Sequence, residues 1–388
     1  MLSDPRRLAV AFAGLASFIN LYATQPLLPQ FAQDFGATEG AVSMTVSATT
    51  FAVAVMAPFV GLVADVLGRK LIIAGAMALL VAPTLLCGLS HSLNELVLWR
   101  FVQGLLLPPI FAVTVAYVGD EFPGEEVPGV TGIYVAASAV GGFLGRMLSG
   151  LVADHWGWRS AFFLLAAVTA ACALFVAAAL PRERRFIRAE GLLHSARLMF
   201  GHFLNPPIVA TFAVGFTVLF SFVATFTYVN FYLGAPPFNL SPSALGAIFV
   251  VYLVAVWVTP STSRWIRAIG RRHLVVVAVG IACVGLLLTL VQWLPAIILG
   301  LGLAATGGFI SQTSATGLLA QRTTGARSSA VGLYVSFYYI GGGIGASVPA
   351  LFWARTGWPG CVALVILILC GMALLVLRFW RGERPGVG

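Results

Sequence analysis

Two arginines lie where a charge is costly. Arg100 and Arg146 both fall inside long apolar runs. A charge at the centre of a membrane helix costs at least ~2.5–3.5 kcal/mol on insertion scales, so such a residue is usually paired or functional. Counted at 1.5 Å per residue from the expected outer end of its run, Arg100 lies roughly 9 Å deep. A guanidinium held there attracts an anion or snorkels back toward the interface. All thirteen acids lie in loops or within a turn or so of the end of a run, and the five histidines are peripheral as well. The intramembrane charge is therefore positive, which favours an anionic, zwitterionic or neutral ligand over a simple cation. Any titrating acid has to be sought near the outer face, at Asp34, Glu95 or Asp154.

Uncharged groups supply the rest of the candidate chemistry. Asn20, Gln25, Tyr134, Tyr228, Asn230, Ser311, Gln312, Tyr334 and Tyr338 interrupt apolar runs. Each could merely bond across helices; as a set they describe a polar, aromatic cavity for an amphipathic or sugar-like molecule. Catalytic constellations are missing: there is no GxSxG, HExxH or Walker-type sequence, so the chain reads as no enzyme and needs no cofactor. Cys87, Cys172, Cys283, Cys361 and Cys370 form no CxxC or Cys/His cluster, and they read as small packing residues rather than metal ligands.

The elements that must position these residues follow from hydropathy. Of 388 residues, 60% are hydrophobic and 9% charged, with a mean hydropathy of +0.97. A soluble domain carries roughly 25% charged residues, so lipid is the main solvent. A bilayer core needs about 20 apolar residues per helix. Twelve runs qualify, near 8–32, 40–64, 71–89, 94–118, 128–153, 160–180, 207–233, 243–262, 273–292, 295–319, 328–353 and 359–379. They are too long and too uniformly apolar for β-barrel strands. The prediction is an all-α membrane protein of twelve transmembrane helices.

Orientation is read from basic residues by loop. With the N-terminus inside, 18 of the 22 lysines and arginines fall on the cytoplasmic side, and only Arg159 and Arg355 fall outside. Both termini are then cytoplasmic in a multi-pass protein of the bacterial inner membrane. The net charge of +9 is thereby a topology signal, not a nucleic-acid patch. The Arg6–Arg7 pair precedes a long first run with no fitting cleavage site, so that run is expected to remain as an anchor. The polar stretch at 181–206 divides residues 1–180 from 207–388, and its basic portion is expected to lie along the inner leaflet.

The two halves repeat. GIYVAASAVGGFLGR at 132–146 matches GLYVSFYYIGGGIGA at 332–346, and the register continues from Gly157-Trp158 to Gly357-Trp358. GLVADVLGRK at 61–70 aligns with SRWIRAIGRR at 263–272. Two parallel six-helix bundles, able to rock about a site near the midplane, are a transporter architecture. A channel or receptor is the reading from another class, and it suits two symmetric halves less well.

Three segments carry a family resemblance. Gly61, Asp65, Gly68, Arg69 and Lys70 resemble the loop signature G-x-x-x-D-x-x-G-R-K of the major facilitator superfamily. Arg100 followed by Gly104 resembles its second signature. Gly141, Gly142, Gly145 and Arg146, with Trp158-Arg159 and Gln25-Pro26-Leu27-Leu28-Pro29, look like the YnfM-like, acriflavine-sensitivity branch of bacterial efflux transporters. The resemblance covers almost the whole chain. It implies the twelve-helix facilitator fold in two pseudo-symmetric bundles, and a secondary transporter that acts as a monomer on a small molecule, with protons as the coupling ion. It also implies a conformational latch: Asp65 toward the start of span eleven, and Arg69 and Lys70 toward Asp120 and Glu121. Arg100 and Arg146 would serve coupling or substrate attraction, with Asp34 and Glu95 as acids, and Gly104, Gly141, Gly142 and Gly145 would serve helix packing. The second-half copy has Arg267 in place of the aspartate, which makes any latch asymmetric. Proton-coupled export of a drug, sugar or metabolite is the leading expectation, with uptake or facilitated exchange of an anionic or neutral metabolite as the alternative.

Overall fold

The computed structural model describes residues 4–181, 202–323 and 327–380. No β-strand occurs among the described residues. Helix is what a hydrocarbon solvent requires, because every backbone N–H and C=O must be satisfied within its own segment. Among the described residues, eleven helices are long and apolar enough to cross a membrane. One of them, Val127–Ala179, has 53 residues and would extend about 80 Å if straight, against a core of about 30 Å. Gly157, at φ 79° and ψ 159°, breaks it into two spans, which gives the twelve expected crossings.

The spans are as follows. Span one comprises Pro5–Leu21, Gln25–Leu27 and Leu28–Asp34; spans two to four are Glu39–Leu67, Arg69–Leu89 and Leu93–Glu121. Spans five and six lie before and after Gly157, and span seven is Pro206–Gly234. Span eight is Pro242–Ile248, Phe249–Val254 and Ala255–Ile269; spans nine and ten are Arg271–Leu288 and Leu294–Arg322. Span eleven is Arg327–Ser347 with Pro349–Thr356, and span twelve is Trp358–Phe379. The sequence leads one to expect unbroken first, eighth and eleventh spans. The first breaks where Pro26 and Pro29 cannot donate backbone bonds, the eighth passes through a 3₁₀ segment, and the eleventh is interrupted before Pro349.

Packing divides the chain into two units, Met1–Gly191 with Asn239–Phe249, and Leu192–Phe238 with Val250–Gly388. The sequence repeat is visible inside each. Gly157 and Gly357 both take positive φ and make the turn that no β-carbon residue adopts cheaply. The following Trp158 and Trp358 are buried, and their indole N–H groups donate to Asp34 Oδ2 (2.8 Å) and Thr289 Oγ1 (3.0 Å) respectively. Gly141 and Gly145 press against the carbonyls of Leu15 and Ile19, whereas Gly341 and Gly345 press against those of Phe216 and Phe220. Span one therefore meets span five as span seven meets span eleven.

A β-carbon at Gly145 would lie under 3.0 Å from backbone atoms of Ile19, and neither helix can yield without losing bonds elsewhere. Gly145→Val is expected to cost about 3 kcal/mol or more, the upper end for overpacking. Gly75→Ala, with nothing within 4 Å, is the matched control and should melt like the parent. Equal melting temperatures for Gly145→Val and the parent in detergent would contradict this packing.

Candidate functional site

Arg100 is fully buried in the first unit, and the surrounding spans explain how. Gly104, one turn on, lets span four touch the Thr49 carbonyl of span two. That approach brings the guanidinium to Thr45 O (3.1 Å). The break after Leu21 leaves the last carbonyls of a helix without intrahelical partners. Arg100 donates to two of them, Asn20 O at 2.8 Å and Leu21 O at 2.6 Å. Its fourth bond goes to Gln103 Oε1 at 2.6 Å. Gln103 donates to Thr84 Oγ1 (2.7 Å), Thr84 lies 3.3 Å from Asn20 Oδ1, and Asn20 donates to Thr169 Oγ1 (2.9 Å). One polar hub thus ties spans one, two, three, four and six. Its charge is spread over neutral acceptors, and Arg100 bonds no carboxylate.

Arg146 occupies a different environment. Its Nε donates to Gln25 Oε1 at 2.7 Å, in the 3₁₀ turn that follows the break, and a terminal nitrogen donates to Gly142 O at 2.6 Å. The guanidinium carbon lies 4.8 Å from the Tyr22 ring centre and 4.5 Å from that of Phe249. Phe249 ends the segment of span eight that packs with this unit. That segment is held by the contact of Gly150 with Pro242 O, by Gly246 against Arg146 O, and by Asp154, which accepts the Ser243 N–H at 3.1 Å. Beside Gln25, the buried hydroxyl of Thr24 has no hydrogen-bond partner among the described residues.

The remaining predicted residues of this unit are placed as follows. Arg69 forms an ion pair with Asp120, and Lys70 is half-buried beside it in sequence. Glu121 ends span four. The side chains of Gly61 and Asp65 lie outside the described residues. Asp34 holds Trp158, while Glu95 accepts the His91 N–H at 2.9 Å and its own N–H donates to Ser92 Oγ at 3.2 Å. Neither acid bonds Arg100. Tyr134 donates to Phe111 O at 3.3 Å.

In the second unit, Tyr334 donates to Gln312 Oε1 at 2.7 Å and stacks near Tyr338, with centroids 6.2 Å apart. Gln312 and Tyr338 are half-buried, so this pair of spans presents polar groups at a surface. Tyr228 is spent on Ala346 O (2.9 Å), and Asn230 on Phe226 O. Unlike span four, which carries Arg100 within its length, span ten, Leu294–Arg322, has one charged residue, and it is the last. Around Ala304, Ser221, Leu286 and Leu369 line a cavity of about 20 Å³, room for about one water.

Thr45, Thr84, Thr169, Tyr22 and Phe249 were not legible as site residues. Helices apolar on every face give no stripe from which to tell a threonine that bonds a neighbour from one that bonds its own turn.

With this geometry in view, known proteins can be compared. Residues 10–236 match the Major Facilitator Superfamily. The inner membrane transport protein YnfM of Escherichia coli K12 is 32% identical, across 95% of this chain and 88% of its own. An uncharacterized transporter of the same type from Bacillus subtilis 168, YybF, is 29% identical across 94% and 91%. Among solved structures, the nucleoside transporter NupG superposes with a TM-score of 0.80 at 14% identity, covering 97% of this chain and all of that one.

Proposed function

Since the chain belongs to the major facilitator superfamily of secondary transporters, we propose that it moves a small anionic, zwitterionic or neutral organic molecule across the bacterial inner membrane by alternating access. In this reading both termini are cytoplasmic, as the loop arginines require. Transport is export coupled to protons, and Arg146 supplies the attracting charge. The carrying observation is Arg146 itself. It is buried at a helix break, oriented by a side-chain amide and two aromatic rings, next to an orphaned buried hydroxyl at Thr24. Broken helices with unwound backbone are where transporters of several folds hold their substrates. Arg100 has a different part: it caps the break, so the geometry around Arg146 depends on it. Gln25 positions Arg146. Arg69 with Asp120 forms part of the latch.

Facilitated exchange without protons is the second reading. It is favoured by the absence of any carboxylate from the middle of a span.

Purified protein in liposomes separates the two. Counterflow of radiolabelled compounds graded by charge is expected to accumulate an anionic or zwitterionic member and to leave lipophilic cations untouched. An imposed pH gradient should then drive net movement if protons couple, and leave it unchanged if they do not. Counterflow of lipophilic cations alone would overturn the assignment of Arg146.

A further inference from the structure

The turn that joins spans eight and nine gathers charge that the chain itself does not balance. Gly270, at φ 78°, is the single residue between Ile269 and Arg271. Arg264 and Arg267 are exposed at the end of the first helix, and Arg272 is half-buried at the start of the next. Arg271 donates to Gln321 Oε1 at 2.9 Å. That bond brings in the end of span ten and its exposed last residue, Arg322. Arg264, Arg267, Arg272 and Arg322 thus share one corner of the second unit with Arg271.

The first unit builds the same corner differently. Gly68, at φ 89°, joins spans two and three, and Arg69 pairs with Asp120 near the end of span four. Where span four ends in Asp120 and Glu121, span ten ends in Gln321 and Arg322. The acceptor for Arg271 is therefore a neutral amide. Residues 192–238 and 250–388, which make up the second unit, contain a single acid, Glu383, and it lies between Arg381 and Arg384. Among the described residues, none of the four arginines pairs with a carboxylate. The Nε of Arg272 is buried and has no hydrogen-bond partner among them. Arg271 and Arg272 also stand in the first turn of span nine, at the positive end of a helix, which repels cations. The missing counter-charge has to come from outside the chain.

The surroundings favour one source. Trp257, Trp265 and Ile269 are exposed and, at spacings of eight and four, fall on one stripe of span eight. The stripe runs for about 18 Å up to the corner. Exposed tryptophans beside arginines mark the headgroup depth of a bilayer, where the abundant anion is a lipid phosphate. We propose that this corner binds the headgroup of an anionic phospholipid, with its phosphate on Arg264, Arg267 and Arg272 and its acyl chains along the Trp257–Ile269 stripe.

Native mass spectrometry of the full-length protein, titrated in detergent with phosphatidylglycerol or phosphatidylcholine of the same chains, tests this. The parent is expected to retain phosphatidylglycerol several-fold better. Arg264→Gln with Arg267→Gln, both at exposed positions, should bring the two lipids close to parity, and so should Arg272→Gln alone. Arg355→Gln removes an exposed charge elsewhere and should leave the preference intact. Millimolar inorganic phosphate should not displace the lipid, which separates a headgroup site from a site for a free anion. Equal retention of the two lipids by the parent, a preference that survives either set of corner substitutions, its loss in Arg355→Gln, or displacement by phosphate would each overturn the proposal.

Discussion

Arg100→Leu is expected to destabilise the folded protein, not to impair transport alone. Three backbone carbonyls on two spans, Thr45, Asn20 and Leu21, together with the Gln103 amide oxygen, accept from this one guanidinium. No water reaches them, since Arg100 is fully buried. Removing one member of a buried charged network costs about 3–5 kcal/mol, because the partners stay buried and unpaired. At roughly 2–4 °C per kcal/mol, the melting temperature should fall by about 6 °C or more. Arg100→Lys should rescue little: an ammonium has three donors around a point, whereas these acceptors surround a planar fork. Gln103→Leu and Thr84→Val each remove more than one bond of the hub but leave the charge in place, and should each cost about 1–3 kcal/mol. Because they share the network, their effects combined with Arg100→Leu should fall short of the sum. Detergent melting curves and the yield of monodisperse protein give the reading. A stable, monodisperse Arg100→Leu protein that lacked only transport would show that the residue acts on cargo and not on the bundle.

Hydropathy carried the fold because the solvent is hydrocarbon: run length alone marks where a helix must begin and end. The repeated Gly-Trp pair marked both five–six and eleven–twelve turns, since a positive φ and a capping indole leave a sequence trace. The break in span one was less visible. Its prolines stood in view, but the carbonyls at the end of the first helix draw a partner from span four, and no local pattern encodes a contact 80 residues away. The same limit applies to Arg146. Its type and depth could be read, whereas Phe249, 103 positions on, could not. Asn20 and Tyr228 look like cavity residues by type. In the structure their polar atoms are consumed by Thr169 and by the Ala346 carbonyl, so residue type without a neighbour list does not separate lining from packing.

Arg146 should respond in the opposite way to Arg100. Gly142 O, one of its acceptors, lies one helical turn behind it, where the backbone N–H of the same residue also points. Gln25 is a side chain that can rotate. Neither acceptor is left stranded on truncation, and Arg146→Gln is expected to melt within a few degrees of the parent. The loss of an oriented buried charge facing an anionic cargo costs about 2–5 kcal/mol of binding, or roughly 30-fold or more in affinity. Arg146→Lys keeps the charge but not the bond to Gln25 or the stacking on Tyr22 and Phe249, and should fall between the two. The central claim, that Arg146 selects the cargo by charge, is tested most directly by counterflow with liposomes of parent, Arg146→Lys and Arg146→Gln at matched protein density. The account predicts a graded loss of the anionic substrate in that order, with folding preserved. Undiminished anion transport by a well-folded Arg146→Gln protein would contradict it.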